Sequence, residues 1–325
     1  MKKKILVTGA CGFIGSHLTE YLVHKGHDVV AFDRYNSEGS WGWLEHTSVK
    51  NDVEVALGDI RDFDSVLHAA RDVDGIFHLA ALIGIPYSYT SPLAYIRTNI
   101  EGTYNVLEVA RMLNTPELIV TSTSETYGSA QYVPIDELHP KVGQSPYAAS
   151  KVSADQLAMS YYLSFNLPVK IARPFNTYGP RQSARAIIPT IISQAFSKKF
   201  IQLGSLHPTR DLTYVKDTCS GFYEIFRSNK LYGEEVNIGM SNEISIEELA
   251  NKILKKMKKD LPIKTEDKRL RPEKSEVNRL FCDNQKIIKS TKWSPEYTLE
   301  KGLEETITWF SEPSNLAKYK STYQV

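Results

Sequence analysis

Six continuous apolar runs separated by helical stretches constrain this chain more than any other feature. The runs are KKILVTG, HDVVAFD, VEVALGD, DGIFHLAA, ELIVTST and LPVKIARP, all before residue 175. Between them lie GFIGSHLTEYLVHKG, DFDSVLHAARD, SPLAYIRTNIEGTYNVLEVARMLN and SPYAASKVSADQLAMSYYLSFN, which read as helices. A strand that is apolar on both faces needs cover on both faces, which argues for a parallel sheet wrapped by helices. Right-handed crossovers then give a doubly wound α/β fold, with ligands expected at the C-terminal ends of the strands.

After Pro174 the pattern loosens. FNTYGPRQSARAIIPTIISQAF reads as a loop and then a helix, and TYVKDTCSGFYEIFRS as a short strand and a helix. EEVNIG reads as a further strand, and SIEELANKILKKM as a helix with Ser245 and Glu248 spaced as a capping box. LEKGLEETITWF is the last helix. These segments predict a smaller mixed α/β lobe built from 174–212 and 239–312. Residues 213–238 return to the first domain, formed otherwise by 1–173. The polar tail, 313–325, is expected to fray.

The bulk numbers exclude several classes. The 325 residues suffice for one large or two modest domains, and a net charge of +1 gives no bulk drive toward nucleic acid or an anionic membrane. The basic run NKILKKMKKD places Ile253, Leu254 and Met257 at helical spacing, so its lysines read as a solvated face. Three widely spaced cysteines, Cys11, Cys219 and Cys282, form no disulfide framework and no metal-ligating cluster. The apolar run after the basic start is too short for a signal peptide, and no run approaches the length of a membrane span. The reading is a cytoplasmic protein with no metal.

The first strand ends in VTGACGFIG, which carries Gly9, Gly12 and Gly15 and opens a helix. In that context the glycines allow a tight turn and let backbone N–H groups approach a pyrophosphate at the helix N-terminus, as in a Rossmann-type domain. Asp33 ends the second strand, where its carboxylate is placed to accept from the adenosine ribose hydroxyls; it would repel a 2′-phosphate, which favours NAD over NADP, although Arg34 follows directly. Asp59 ends the third strand, near where adenine would lie.

The segment TSTSETYGSAQYVPIDELHPKVGQSPYAASK closes with Tyr147 and Lys151, which share one face of a helix. A nearby ammonium favours the phenolate, and such a tyrosine can take a proton from a substrate hydroxyl while hydride leaves that carbon. Ser122 and Thr123 end the preceding strand and are candidates to bond the same hydroxyl and the nicotinamide ribose.

With these residues in view, the chain resembles the extended short-chain dehydrogenase/reductase family, which acts on nucleotide-sugars. The segments that carry the resemblance are TGACGFIGSHL, GDIRD, FHLAA, NIEGTYNVLE, STSETYG, SPYAASK, ARPFNTYGPRQ, RDLTYVKD and RPEKSEV, in family order over roughly residues 4 to 310. The resemblance implies a tightly held NAD, reduced and reoxidised within one turnover. It adds Phe13, Ile14, Ile60, Leu79, Ala80, Ala81, Asn99, Ser122 and Pro174 to the cofactor contacts, beside Tyr147 and Lys151. For the substrate it implies Arg210 and Arg271 on the diphosphate, Arg185 in the loop before a nucleotide-covering helix, Asn176 on the sugar or diphosphate, and Glu276 on the ribose. His78, in FHLAA, reads as structural. The family also implies a homodimer through the helices near 92–114 and 145–166.

Within the family, 4-epimerases lack the acid two residues after Thr123. Some 4,6-dehydratases carry Ser-Glu there, and so do UDP-glucuronate decarboxylases. Ser124 and Glu125 therefore narrow the choice to dehydratase or decarboxylase. As a dehydratase, Glu125 would take the C5 proton after oxidation at C4, with Ser124 assisting departure of the C6 hydroxyl. Asp211 after Arg210 resembles the epimerase and dehydratase pattern. QYVPIDELHP, SFNLPVKIARPFNTYGPRQSARAIIPTII and YNSEGSWGWLE resemble the dehydratase branch of legionaminic-acid biosynthesis, which takes a nucleotide-linked N-acetylglucosamine and serves surface-polysaccharide synthesis. Trp41 and Trp43, in the last of these, stand either for packing under a loop or for substrate or partner contact.

Overall fold

The computed structural model describes residues 1–319. The first half follows the apolar runs: β1 Lys4–Thr8, α1 Phe13–His24, β2 Asp28–Arg34, β3 Val53–Gly58, α2 Phe63–Ala69 and β4 Gly75–His78. After two short helices, α3 Ile85–Thr90 and α4 Pro92–Tyr95, come α5 Gly102–Met112, β5 Leu118–Thr121, α6 Pro146–Phe165 and β6 Val169–Pro174. The chain then runs through β7 Asn176–Tyr178, α7 Ile187–Ser197, β8 Ile201–Leu203, β9 Thr209–Tyr214, α8 Val215–Arg227 and β10 Glu235–Ile238. It closes with β11 Glu243–Ser245, α9 Ile246–Lys256, β12 Ile263–Thr265, β13 Arg279–Leu280, α10 Gln285–Ser290, α11 Leu299–Ser311 and α12 Pro313–Leu316.

The main sheet has the order β10-β6-β5-β4-β1-β2-β3, and every pairing in it is parallel. The connections leave β1 in opposite directions, so the crevice between the C-terminal ends of β1 and β4 is the topological switch point. Ile5, Leu6 and Val7 are completely buried, as a central strand covered on both faces requires.

The sequence reads one long helix over residues 91–114. The structure instead places a π-helical turn, Ile96–Glu101, between α4 and α5. Such turns displace a side chain from regular spacing, and here the turn contains buried Asn99. Helix α6 begins as its sequence dictates: Pro146 occupies the first turn, and the Ser145 hydroxyl accepts from the Ala148 amide at 3.1 Å.

At Phe175 the chain leaves the main sheet, and β7 pairs with β9, the centre of a second sheet that also holds β11 and β13. Strand β9 runs directly into α8, which packs on α1, and β10 returns to the main sheet beside β6. The small β8–β12 pair was not visible as a pattern in the sequence. The expected capping box is present, with Ser245 and Glu248 satisfying each other's backbone.

The tail departs from the expectation of fraying up to residue 319; 320–325 lie outside the described residues. Helix α12 follows α11, and Tyr319 packs on Phe310, Trp309 and Trp43. Trp43 meets Trp309 at 5.5 Å between ring centroids and lies beneath Lys318, so this tryptophan is a packing residue. Among the described residues, no helix is long and apolar enough to cross a membrane.

Candidate active site

The glycine turn after β1 is built for close approach. Gly9 adopts φ +73°, and a Cβ there would stand 2.9 Å from the Ala80 backbone. A Cβ on Gly15 would stand 2.0 Å from the Gly9 carbonyl oxygen. No side chain caps α1 at Gly12, so the amides of its first turn, Phe13 to Gly15, are left for an anion. Asp33 sits beside the turn. Its Oδ2 accepts from the Cys11 amide at 2.7 Å and its Oδ1 from the Arg34 amide at 2.7 Å. A carboxylate has about four acceptor sites, which leaves capacity for ribose hydroxyls. Asp59 is paired with Arg61 and lines a cavity of about 450 Å³ with Arg34, Tyr35, Leu57, Gly58 and Ser65, at the end of β3. Ile60 lies between Asp59 and α5, its carbonyl accepting from Asn105. The amides of Leu79 and Ala80 are tied to the Thr8 hydroxyl, which brings these two residues against the glycine turn. Ala81 continues this backbone, and Pro174 stands at the end of β6. Turn, acid and cavity together fit a dinucleotide.

Two expected cofactor contacts are turned elsewhere. The Asn99 amide brackets Leu82, accepting from its N–H at 2.8 Å and donating to its carbonyl at 2.9 Å, and also donates to Ser150. It fixes the loop after β4 to α6. The Ser122 hydroxyl donates to Asp155 at 2.5 Å and accepts from Arg173 at 3.1 Å, inside the core. The reason is alternation: successive residues of an extended segment face opposite ways, so Thr123 and Ser122 cannot both look into the cleft.

Thr123 is the one that does. Its hydroxyl is bonded to the Tyr147 phenol and accepts from the Glu125 amide at 3.3 Å. Tyr147 is buried, and burial pushes its phenol above the ordinary range, with the Thr123 hydrogen bond opposing this. Lys151 lies one turn on and donates to the Thr121 carbonyl at 2.6 Å; burial lowers its pKa and the Asp155 carboxylate works against that. His78 bridges the hydroxyls of Thr8 and Thr103 at 2.8 and 3.1 Å beneath the site, a structural place.

Ser124 and Glu125 occupy a short 3-10 turn that follows Thr123, both buried. Glu125 faces Arg271 Nη1 at 4.0 Å, and the same nitrogen lies 3.5 Å from Glu276 Oε1. Arg210 Nη2 reaches that oxygen at 3.4 Å. Burial lowers the Arg210 pKa, and the nearby Glu125 and Glu276 charges counter it. Four residues from three separate segments thus form one cluster of two guanidinium groups and two carboxylates. Asn176, at the start of β7, has a buried Oδ1 with no partner, as a residue awaiting a ligand would. Arg185 stands apart from the cluster, exposed on the rim, with its charge felt at Tyr95. Asp211 is turned away from the cluster. It accepts from the Met240, Asn242 and Cys282 amides, and burial raises its pKa to about 7.

The family model described as GDP-mannose 4,6 dehydratase matches residues 6–306. The human dTDP-D-glucose 4,6-dehydratase is 30% identical, over 95% of this chain and 90% of its own length. A UDP-N-acetyl-alpha-D-glucosaminuronate decarboxylase of Bacillus cytotoxicus is 32% identical, over 97% of this chain and all of its own. The crystal structure of a Bacillus cereus UDP-glucuronic acid 4-epimerase, in complex with UDP-glucuronic acid and NAD, superposes with a TM-score of 0.86 at 29% identity. It covers 95% of this chain and 99% of that one.

Proposed function

We propose, from the premise that this chain belongs to the family of NAD-dependent nucleotide-sugar dehydratases, epimerases and decarboxylases, that it is a 4,6-dehydratase. Its substrate in this reading is UDP- or GDP-linked N-acetylglucosamine, and its product the 4-keto-6-deoxy sugar. The observation that carries the reading is Glu125: a buried carboxylate in the turn directly after Thr123, close enough for its charge to raise the Tyr147 pKa.

Bound NAD would accept the hydride from C4 and return one at the end of the cycle, held by the glycine turn, Asp33 and Lys151. Tyr147, bonded to Thr123, takes the C4 hydroxyl proton. A phenol so enclosed is no base at neutral pH without a cation beside it, and Lys151 supplies one. With C4 as a ketone, the C5 proton is acidic. Glu125 removes it, the C5 electrons form the C5–C6 double bond, and the C6 hydroxyl departs as water with a proton from solvent relayed by Ser124. As C6 receives the returned hydride, Glu125 gives its proton back to C5, and Tyr147 releases the C4 hydroxyl proton to solvent. Arg210, Arg271 and Asn176 hold the diphosphate and sugar, with Glu276 at the nucleotide ribose and Arg185 at the rim. The likeness of YNSEGSWGWLE and neighbouring segments to the legionaminic-acid branch supports the acetamido sugar. The exposed Ile96, Tyr104, Met112, Leu163 and Phe165 on the helices around α5 and α6 support a homodimer, and three unpaired cysteines suit the cytoplasm.

Incubation with UDP- and GDP-N-acetylglucosamine, read by mass spectrometry, is expected to give loss of one water with no net NADH. Stoichiometric NADH would overturn the reading in favour of a simple dehydrogenase. The Glu125→Gln variant is expected to reduce bound NAD and release no dehydrated sugar; full turnover would remove Glu125 from the mechanism. A second reading, decarboxylation of a nucleotide-linked uronic acid, is favoured by the full-length likeness to the B. cytotoxicus decarboxylase. Carbon dioxide release from a UDP-linked uronate would establish it.

A further inference from the structure

We propose that Asp155, gripped by Arg173, is a positioning residue for the oxidation step: it locks α6 to β5 and β6 and keeps Lys151 in its ammonium form. The proposal rests on the C4 oxidation that dehydratase, epimerase and decarboxylase share, not on which product follows.

Tyr147, Lys151 and Asp155 stand at i, i+4 and i+8 on α6 and so form one stripe. The first two serve the cleft; the third is completely enclosed. Asp155 Oδ2 receives Ser122 Oγ at 2.5 Å and Arg173 Nη2 at 2.8 Å. Arg173, also fully buried, donates to Ser122 and Tyr127 and pairs with Glu235 Oε2 at 2.8 Å; Glu235 in turn holds Lys141. Segment 122–123 is therefore registered against α6 twice, once on each face: Thr123 on Tyr147 and Ser122 on Asp155.

Burying an ion pair is a poor source of stability, because desolvation offsets most of the attraction. The placement has a clearer use in setting charge. Lys151 is enclosed, and Asp155 is the carboxylate that favours its charged form. The other titratable groups facing this end of α6 do not substitute for it. His78 of β4 is held neutral by burial, its pKa pushed down to about 3. Tyr95 of α4 packs on Tyr147 with its phenol pKa raised by burial. Glu125 faces Arg271 and Arg210. Arg173 opposes the ammonium, but its charge is shared between Asp155 and Glu235.

The test is Asp155→Asn, which removes the carboxylate alone. Arg173 is not orphaned, because it keeps Glu235 and the Tyr127 hydroxyl. Lys151 is followed by NMR of lysine labelled at Cε in the ligand-free protein, assigned with Lys151→Met. The expected result is titration at lower pH than in wild type. The alkaline limb of the rate of bound NADH formation should fall by the same amount, with KM within about twofold of wild type. An unmoved Lys151 titration overturns the proposal, whatever happens to turnover. If Asp155→Asn does not fold, Asp155→Glu, which keeps the carboxylate, is read by the same titration: Lys151 should titrate as in wild type, and a fall would overturn the proposal. Loss of dehydrated product with a normal lysine shift would instead count against the dehydratase reading.

Discussion

The two halves of the site are built in opposite ways. The half proposed for oxidation, Thr123, Tyr147 and Lys151, comes from one strand end and one helix; Tyr147 and Lys151 are buried, and Lys151 is held on the Thr121 carbonyl at 2.6 Å. The half proposed for elimination and substrate binding, Glu125, Arg210, Arg271 and Glu276, comes from three distant segments joined by charge contacts between 3.4 and 4.0 Å. The first half depends on contacts within and beside one helix, the second on how the later segments are brought against the first.

Substitutions can break this contrast at different depths. The largest effect is expected from Tyr147→Phe, which should cut turnover by about 10²–10⁴-fold for any product, as loss of a general base does. Retained turnover with any nucleotide-sugar would show that the oxidation half is not where the contrast places it. Arg271→Gln should act on binding: losing one charge-assisted contact to a diphosphate costs about 1.5–3 kcal/mol, a rise in KM of roughly 10- to 150-fold. A fall in kcat at constant KM would move Arg271 from substrate holding into the chemistry.

The smallest effect concerns the floor of the oxidation half. His78 has its folded pKa depressed from 6.5 to about 3 by burial. The unfolded chain therefore binds the extra proton first, and stability contributed by the neutral ring is present above about pH 6.5 and lost as pH falls toward 3. At pH 5 the loss is about 2 kcal/mol, from 1.36 kcal/mol per unit. Denaturant unfolding of wild type and His78→Gln at pH 7 and pH 5 checks it: the variant should lose less on acidification. Equal losses would mean that the imidazole is not held neutral.

The parallel sheet was legible because its strands are continuous apolar runs with helices between them, and the glycine turn because only glycine tolerates the approach to Ala80 and to the Gly9 carbonyl. The i, i+4 spacing alone puts Tyr147 and Lys151 on one face of α6. Ser122 and Asn99 were harder. Motif position put both near the cofactor, but facing was decided by strand alternation in one case and by a π-helical turn in the other. The tail misled for a different reason: its residues are mostly polar, and Tyr319 finds aromatic cover from Trp43, more than 270 positions earlier.

By itself the sequence determined the order of the main-sheet strands β1 to β6, the glycine turn and the Tyr-Lys pair, since these depend on local spacing and on residues within a few turns of one another. The tertiary structure decided which carboxylate meets which guanidinium: Glu125 with Arg271, Glu276 with Arg210, Asp155 with Arg173. Charge pairing acts over a few ångströms of space, while these partners lie 18 to 146 residues apart along the chain. Nothing in local pattern could select them until the sheet and the second lobe had brought their segments together.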